Sequence, residues 1–366
     1  MKILKLYILR EFLPPYLGSM AFFTMLLLLE RVMNFVRLVA RGYATVIDLL
    51  VLIFFSIPPT LAITMPMSTL MGALISVSRL SHDSEITAIR ASGMRLGSIF
   101  ISLYLAGIAI GGASFYLTDR LVPIGNIKFR TLYERLTIAR PDLQVNSLSI
   151  NKLTGEVTLL VEEVDESSGN LINITIFESR KDEGEKTITA KQGWFMTTDV
   201  SGSHITLRLK RGTIFDPGNP GELNFSSTIF ETLDLSIPIE NKEIMNIVKT
   251  PRDMNLKELR ESKNQFKKGS RNYNIHIIEY NKKIAIPFAC VLFVLLGTPF
   301  AVTPGRTGRG LGLGIGVIII FLYYLFILTL ERMGKDGTIN PALAMWLPNI
   351  LFSVAGIANL IKKGRL

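Results

Sequence analysis

The sequence holds a single cysteine, Cys290, and only three histidines among 366 residues. One thiol excludes an intrachain disulfide and any cysteine metal cluster, so a part lying outside the cytoplasm must be held by packing alone. His82, His204 and His276 are far apart and never at HExxH spacing, which leaves no histidine metal motif. Nucleotide-binding motifs are missing as well. The glycine-rich stretch 303–316 has no Lys followed by Ser or Thr, no GxGxxG register and no strand before it. Its Gly308, Gly312 and Gly316 recur every fourth residue, the spacing of a helix-packing ridge, so the chain has no ATP site of its own. No apolar run carries paired aspartates, a histidine cluster or a nucleophile with a base, which argues against a membrane enzyme. Nothing calls for a cofactor.

What is abundant is apolar residue. Hydrophobic side chains make up 48% of the chain, mean hydropathy is +0.36, and runs long enough to cross a bilayer fall at about 14–35, 49–77, 96–117, 275–299, 311–330 and 342–361. Before the first of them, Lys2, Lys5 and Arg10 alternate with large apolar residues in the manner of an interfacial helix. No small-residue cleavage pattern closes the first run, so it is expected to remain as a span. The second carries Pro58, Pro59 and Pro66, expected to bend or break it beside a cavity. Gly107, Gly111 and Gly112 give the third a face for close helix approach.

Between the third and fourth runs the period changes. Alternating segments at 157–164, 171–178 and 204–210 are separated by turn residues, with Ile205, Leu207 and Leu209 on one face and Thr206, Arg208 and Lys210 on the other. Strands about ten residues apart predict an antiparallel domain over about 145–238, a jellyroll or another sandwich. A polar helix over about 252–268 then leads back. The predicted fold is an α-helical membrane protein with six transmembrane helices and an inserted all-β, jellyroll-like domain. Its expected divisions are 1–135, with a short polar helix at about 81–93, then the β insert at 136–250, and the last three spans at 251–366.

The net charge of +10 would suit nucleic acid if it were gathered on one soluble domain, but much of it sits at the ends of apolar runs. Nucleic acid is therefore not an expected partner. One set of connections carries eleven Lys and Arg, from Lys2 through Arg90 to Arg365; the other carries Arg37, Arg41, Arg332 and Lys335. The positive-inside rule puts both termini and the short helix in the cytoplasm, and the β insert across the membrane.

Two groups of residues stand out. The short helix is capped at its start by Ser81 or Asp83 and closed by Gly93, about three turns that cannot stand alone in water. On it Glu85 shares a face with Ile89 and Ser92, while Arg90 points elsewhere and does not neutralise it. A docking carboxylate and a solvated loop helix both fit that pattern. At the far end of the first span, Arg31, Arg37 and Arg41 snorkel to the interface or receive an anionic headgroup. Glu30 is expected to pair with one of them or face a water-filled cavity, and Lys282 and Lys283 to extend the same positive ring if the first and fourth spans are neighbours.

Four stretches carry a family likeness: ProMetSerThrLeuMetGlyAlaLeu at 66–74, SerGluIleThrAlaIleArgAlaSerGlyMet at 84–94, LysLysIleAlaIleProPheAlaCys at 282–290 and AlaMetTrpLeuProAsn at 344–349. With three spans on either side of a β insert, the chain resembles the lipopolysaccharide export permeases LptF and LptG over nearly its whole length, its 84–94 wording leaning to LptF. The resemblance implies a bacterial inner-membrane permease subunit of an ATP-driven ABC exporter, paired with a second such permease. Two copies of a cytosolic ABC ATPase would dock on the short helices through Glu85 with Ile86, Ile89 and Arg90. Lipopolysaccharide would enter a cavity where Arg31, Arg37 and Arg41 meet lipid A phosphates, then pass to a periplasmic bridge of jellyroll proteins. The rival reading is a non-transporting envelope scaffold or sensor, for which six spans with prolines and small-residue faces are more than an anchor needs.

Overall fold

An α-helix satisfies its own backbone polar groups, so long apolar runs become helices in lipid. The computed structural model describes residues 2–40, 44–94, 96–138, 149–152, 157–165, 170–180, 184–197, 204–216, 226–238, 249–302 and 310–364. Among them six helices are long and apolar enough to cross a membrane. They lie in α1 (Lys2–Ala40), α2 (Val46–His82), α5 (Ile101–Tyr116) continued as α6 (Val122–Ile138), α8 (Arg271–Ala301), α9 (Gly310–Lys335) and α10 (Pro341–Gly364). The shorter α3 (Glu85–Ala91) and α4 (Leu96–Ile99) follow α2, and α7 (Leu256–Ser262) precedes α8.

Several boundaries differ from expectation. The interfacial segment and the first span form one helix, α1, with Pro14 and Pro15 inside it. α2 runs unbroken through Pro58, Pro59 and Pro66. Its buried hydroxyls turn back on the helix, as Ser56 Oγ donates to the Leu52 carbonyl at 2.8 Å and Ser68 Oγ to that of Thr64 at 2.7 Å. The third span does not stop at 117; it passes through a π-helical turn, Leu117–Leu121, into α6, because Leu121, Val122 and Ile124 keep the run apolar. The return segment is not one helix but a 3-10 turn (Pro251–Asp253), α7, and a second 3-10 turn (Lys263–Gln265). Asn255 and Glu258 form a capping box that restarts the chain at α7.

The chain divides into two compact units, one of Met1–Asn34, Leu50–Phe129 and Lys249–Leu366, the other of Phe35–Leu49 and Arg130–Val248. In the helical unit α8 is the hub: over an apolar stretch of 18 residues 72% of it is buried, against 11% of the matching stretch of the first span. Glycines admit neighbours at the crossings. A Cβ on Gly107 would stand 2.9 Å from Val294 and one on Gly111 3.1 Å from the Pro287 carbonyl, whereas Gly112 faces open space. A Cβ on Gly316 would stand 2.6 Å from the Met71 sulfur, so that member of the expected ridge packs on α2; Gly308 lies outside the described residues. The stretches 282–290 and 344–349 meet here. Tyr323 donates to Asn349 at 2.8 Å, and Asn349 donates to the Ala285 carbonyl at 2.9 Å, so both polar groups are satisfied inside the core.

The second unit carries a six-stranded antiparallel sheet in sequential order: β1 (Ser149–Lys152), β2 (Val157–Val164), β3 (Leu171–Arg180), β4 (Gly184–Thr197), β5 (His204–Asp216) and β6 (Ser226–Pro238). The described strands form a meander, where the two Greek keys of a strict jellyroll would interleave them. Leu207 and Leu209 are fully buried, as the alternation at 204–210 predicts. The inward set then skips a beat on every long strand. It steps by three rather than two at Val161 to Val164, Leu171 to Ile174, Ala190 to Gly193, Leu209 to Gly212 and Phe230 to Leu233. Asn173 and Arg211, in the gaps, have φ of 51 and 54. Pairing keeps step across the line: Ile172 faces Gln192 and Ile174 faces Ala190. The slip is therefore a transverse crease, and the sheet buries one face against itself.

Candidate functional site

Helix α2 runs on through Ser81 to His82, so neither Ser81 nor Asp83 caps the short helix. Ser84 makes the corner instead, in the left-handed region at φ 60 and without a side-chain cap bond. The helix is two turns rather than three, and Gly93 closes it at φ 86 as expected. Ile86 is 2% exposed and sits in the core with Leu80, Ile8 and Phe12. It seats the helix and faces away from solvent. Ile89 packs at the edge of that core, Arg90 is half-buried, and Thr87, Ala88, Ala91 and Ser92 form the exposed side.

Glu85 is half-buried, and its Oε1 accepts a hydrogen bond from the Tyr7 hydroxyl at 3.0 Å. No spacing rule within α3 could have shown a partner 78 positions away. One turn on, Arg79 Nη1 donates to Glu11 Oε2 at 2.6 Å, so α1 holds both the end of α2 and the start of α3.

The outward face of α1 forms an open apolar groove of about 500 Å³, lined by residues from Met20 to Val32 with Leu61 of α2. The Thr24 and Thr64 hydroxyls, 3.0 Å apart, are the polar point beside it. Arg31, the residue before Val32, is half-buried and does not line the groove, and Glu30 is exposed. Arg37 lies in α1, but its side chain and the whole of Arg41 are outside the described residues.

Lys282 and Lys283 do not extend a cationic ring. Lys282 Nζ lies 2.8 Å from Glu331 Oε2, and Lys335 Nζ takes the other oxygen at 2.6 Å. Lys283, 4% exposed, donates to the Thr118 carbonyl of the π-helical turn at 2.9 Å, with Asp119, Glu279 and Asp253 close enough to attract it. Asp119 in turn accepts from the Leu256 backbone N–H at 2.8 Å. Charges here are spent on joining elements. The i,i+4 spacing of Glu331 and Lys335 was the only sign of this in the sequence. Among the described residues no group of three or more His, Cys, Asp or Glu is placed to hold a metal.

An apolar groove on a sparsely covered span and a short helix seated against the other end of that same span fit a transporter subunit, and sequence comparison agrees. The family of lipopolysaccharide export system permeases LptF/LptG matches residues 6–362. The lipopolysaccharide export system permease protein LptF of Escherichia coli strain K12 is 22% identical over 359 residues, 97% of this chain and 93% of that protein. The LptF of Shigella flexneri matches to the same extent. With nearly its whole length matched, the chain belongs to the lipopolysaccharide export system permease family LptF/LptG.

Proposed function

We propose that this chain is the membrane permease subunit of an ATP-driven ABC exporter that draws lipopolysaccharide from the inner membrane and passes it to a periplasmic bridge. The observation that carries this reading is α1 itself. Its groove, from Met20 to Val32, is apolar but for Thr24, and Arg31 directly precedes Val32 in the chain, which supports an amphiphile with several acyl chains and a phosphorylated head. Only one wall and part of a second are supplied by this chain, so a second permease of the same kind completes the cavity. Arg37 and Arg41 would add donors to the headgroup end.

At the other end α3 is the docking element for a cytosolic ATPase, present in two copies, one on each permease. Glu85 supplies the charge, Arg90 and the exposed face of α3 the surroundings, and Ile86 and Ile89 the seat. The positive-inside count supports cytoplasmic termini and a periplasmic β insert. The division at 1–135, 136–250 and 251–366 then assigns docking and grip to the first part, hand-over to the second and closure of the bundle to the third. ATP is hydrolysed on the partner.

Purification in mild detergent tests this directly. A co-purifying ATPase and a second six-span protein support the exporter; a lone chain supports a scaffold. Glu85→Lys is expected to abolish ATPase association or coupling while leaving insertion intact, because a like charge at the contact costs several kcal/mol. Normal export by that variant at normal expression would remove Glu85 from the docking role.

A further inference from the structure

Tyr7 stands on the first turns of α1, and its ring is half-exposed, so packing there asks for no hydroxyl. The hydroxyl nevertheless points at a carboxylate, Glu85 Oε1, at 3.0 Å. The frame around this bond is rigid. Ile8 and Phe12 are fully buried on the adjacent stripe of α1, and a Cβ on Gly72 would stand 3.0 Å from Phe12 and from Tyr16. The bridge from Glu11 to Arg79 fixes the next turn. A carboxylate accepts at both oxygens, and the bond to Oε1 leaves Oε2 without a donor among the described residues.

We propose that Tyr7 is a positioning residue for Glu85, holding the carboxylate so that Oε2 faces a cationic donor of the docking ATPase. This rests on the reading of Glu85 as the docking carboxylate. Glu85 alone would sample several rotamers, and fixing one before docking removes that entropy from the binding step. Because Tyr7 and the groove share one helix, the same bond fastens the docking site to the span that holds the lipid. About 13 residues separate Tyr7 from the start of the groove, roughly 20 Å along the helix axis.

The test is a double-variant cycle on the full permease pair in lipid nanodiscs, titrated with purified ATPase. Tyr7→Phe is expected to weaken ATPase binding by roughly three- to tenfold, the rotamer entropy of one long side chain that docking must then supply. Glu85→Gln is expected to weaken it at least as much and to lower its salt dependence, since it removes the charge. The decisive figure is the effect of Tyr7→Phe in a Glu85→Ala background, where no acceptor is left for the hydroxyl; it should be under twofold. An undiminished effect there would mean that the hydroxyl acts through the fold, and the proposal fails. If Glu85→Gln weakens docking while Tyr7→Phe does not, or tightens it, positioning fails and the docking role stands. If Glu85→Gln changes nothing, the docking role fails first and takes the proposal with it. Equal melting temperatures for all these proteins keep the comparison free of folding effects.

Discussion

Lys282 and Lys283 are adjacent in sequence and opposite in circumstance, because one helical step of about 100° turns one toward Glu331 and the other into the bundle. Removing the second should cost far more. Lys283→Met strips the Thr118 carbonyl of its donor and leaves the carboxylates nearby without their buried cation, a loss of about 3–5 kcal/mol. Lys282→Met leaves Lys335 on Glu331 and should cost about 1 kcal/mol or less. Thermal unfolding of the two variants in detergent measures the difference, and equal midpoints would contradict it. Their place at the end of a span put both lysines in one positive ring, since which side of α8 is buried depends on α5 and α9, which no local pattern contains. Gly93 was legible for the opposite reason: a left-handed residue after a helix is a local demand that glycine meets at no steric cost. Glu85 was singled out by its spacing, while its partner Tyr7 is set by the docking of α1.

At the scale of elements, hydropathy located all six spans, and their ends were the weak point. Water stops helices through caps and competing hydrogen bonds; inside a bilayer that competition is missing, so α2 passed three prolines and the third span passed its π-helical turn. Glycine spacing was legible as a face but not as a contact. Gly107 and Gly111 lie on α8, and Gly112, one residue round, looks out. Gly107→Val should therefore destabilise the bundle by about 1–3 kcal/mol, since Val294 and the Cys290 carbonyl cannot both retreat. Gly112→Ala should be neutral or slightly stabilising. Denaturation in mild detergent separates them, and a neutral Gly107→Val would show that α5 and α8 do not touch there.

For the whole molecule, the alternation of the insert announced an antiparallel β domain, but the three-residue step did not stand out as a common feature until the strands lay side by side. The apolar core of the sheet, from Leu159 to Leu209, is drawn from the insert itself. Residues 136–250 expressed alone should accordingly give a β-type circular dichroism spectrum and a cooperative melt that reductant does not change. A helical spectrum, or no transition, would show that the rest of the chain is needed to hold it.

The crease also bears on how such an insert can change over generations. Adding or deleting one residue in a strand shifts everything beyond it by one position, turning core side chains to water and water-facing ones to the core. On an ordinary edge strand a neighbour can slide to compensate, but here five strands keep one common beat, from Val161 on β2 to Leu233 on β6. A compensating slide would have to occur in all of them together. Insertions and deletions are thereby driven into the turns, and within the strands the lineage is left to vary by exchange of one side chain for another.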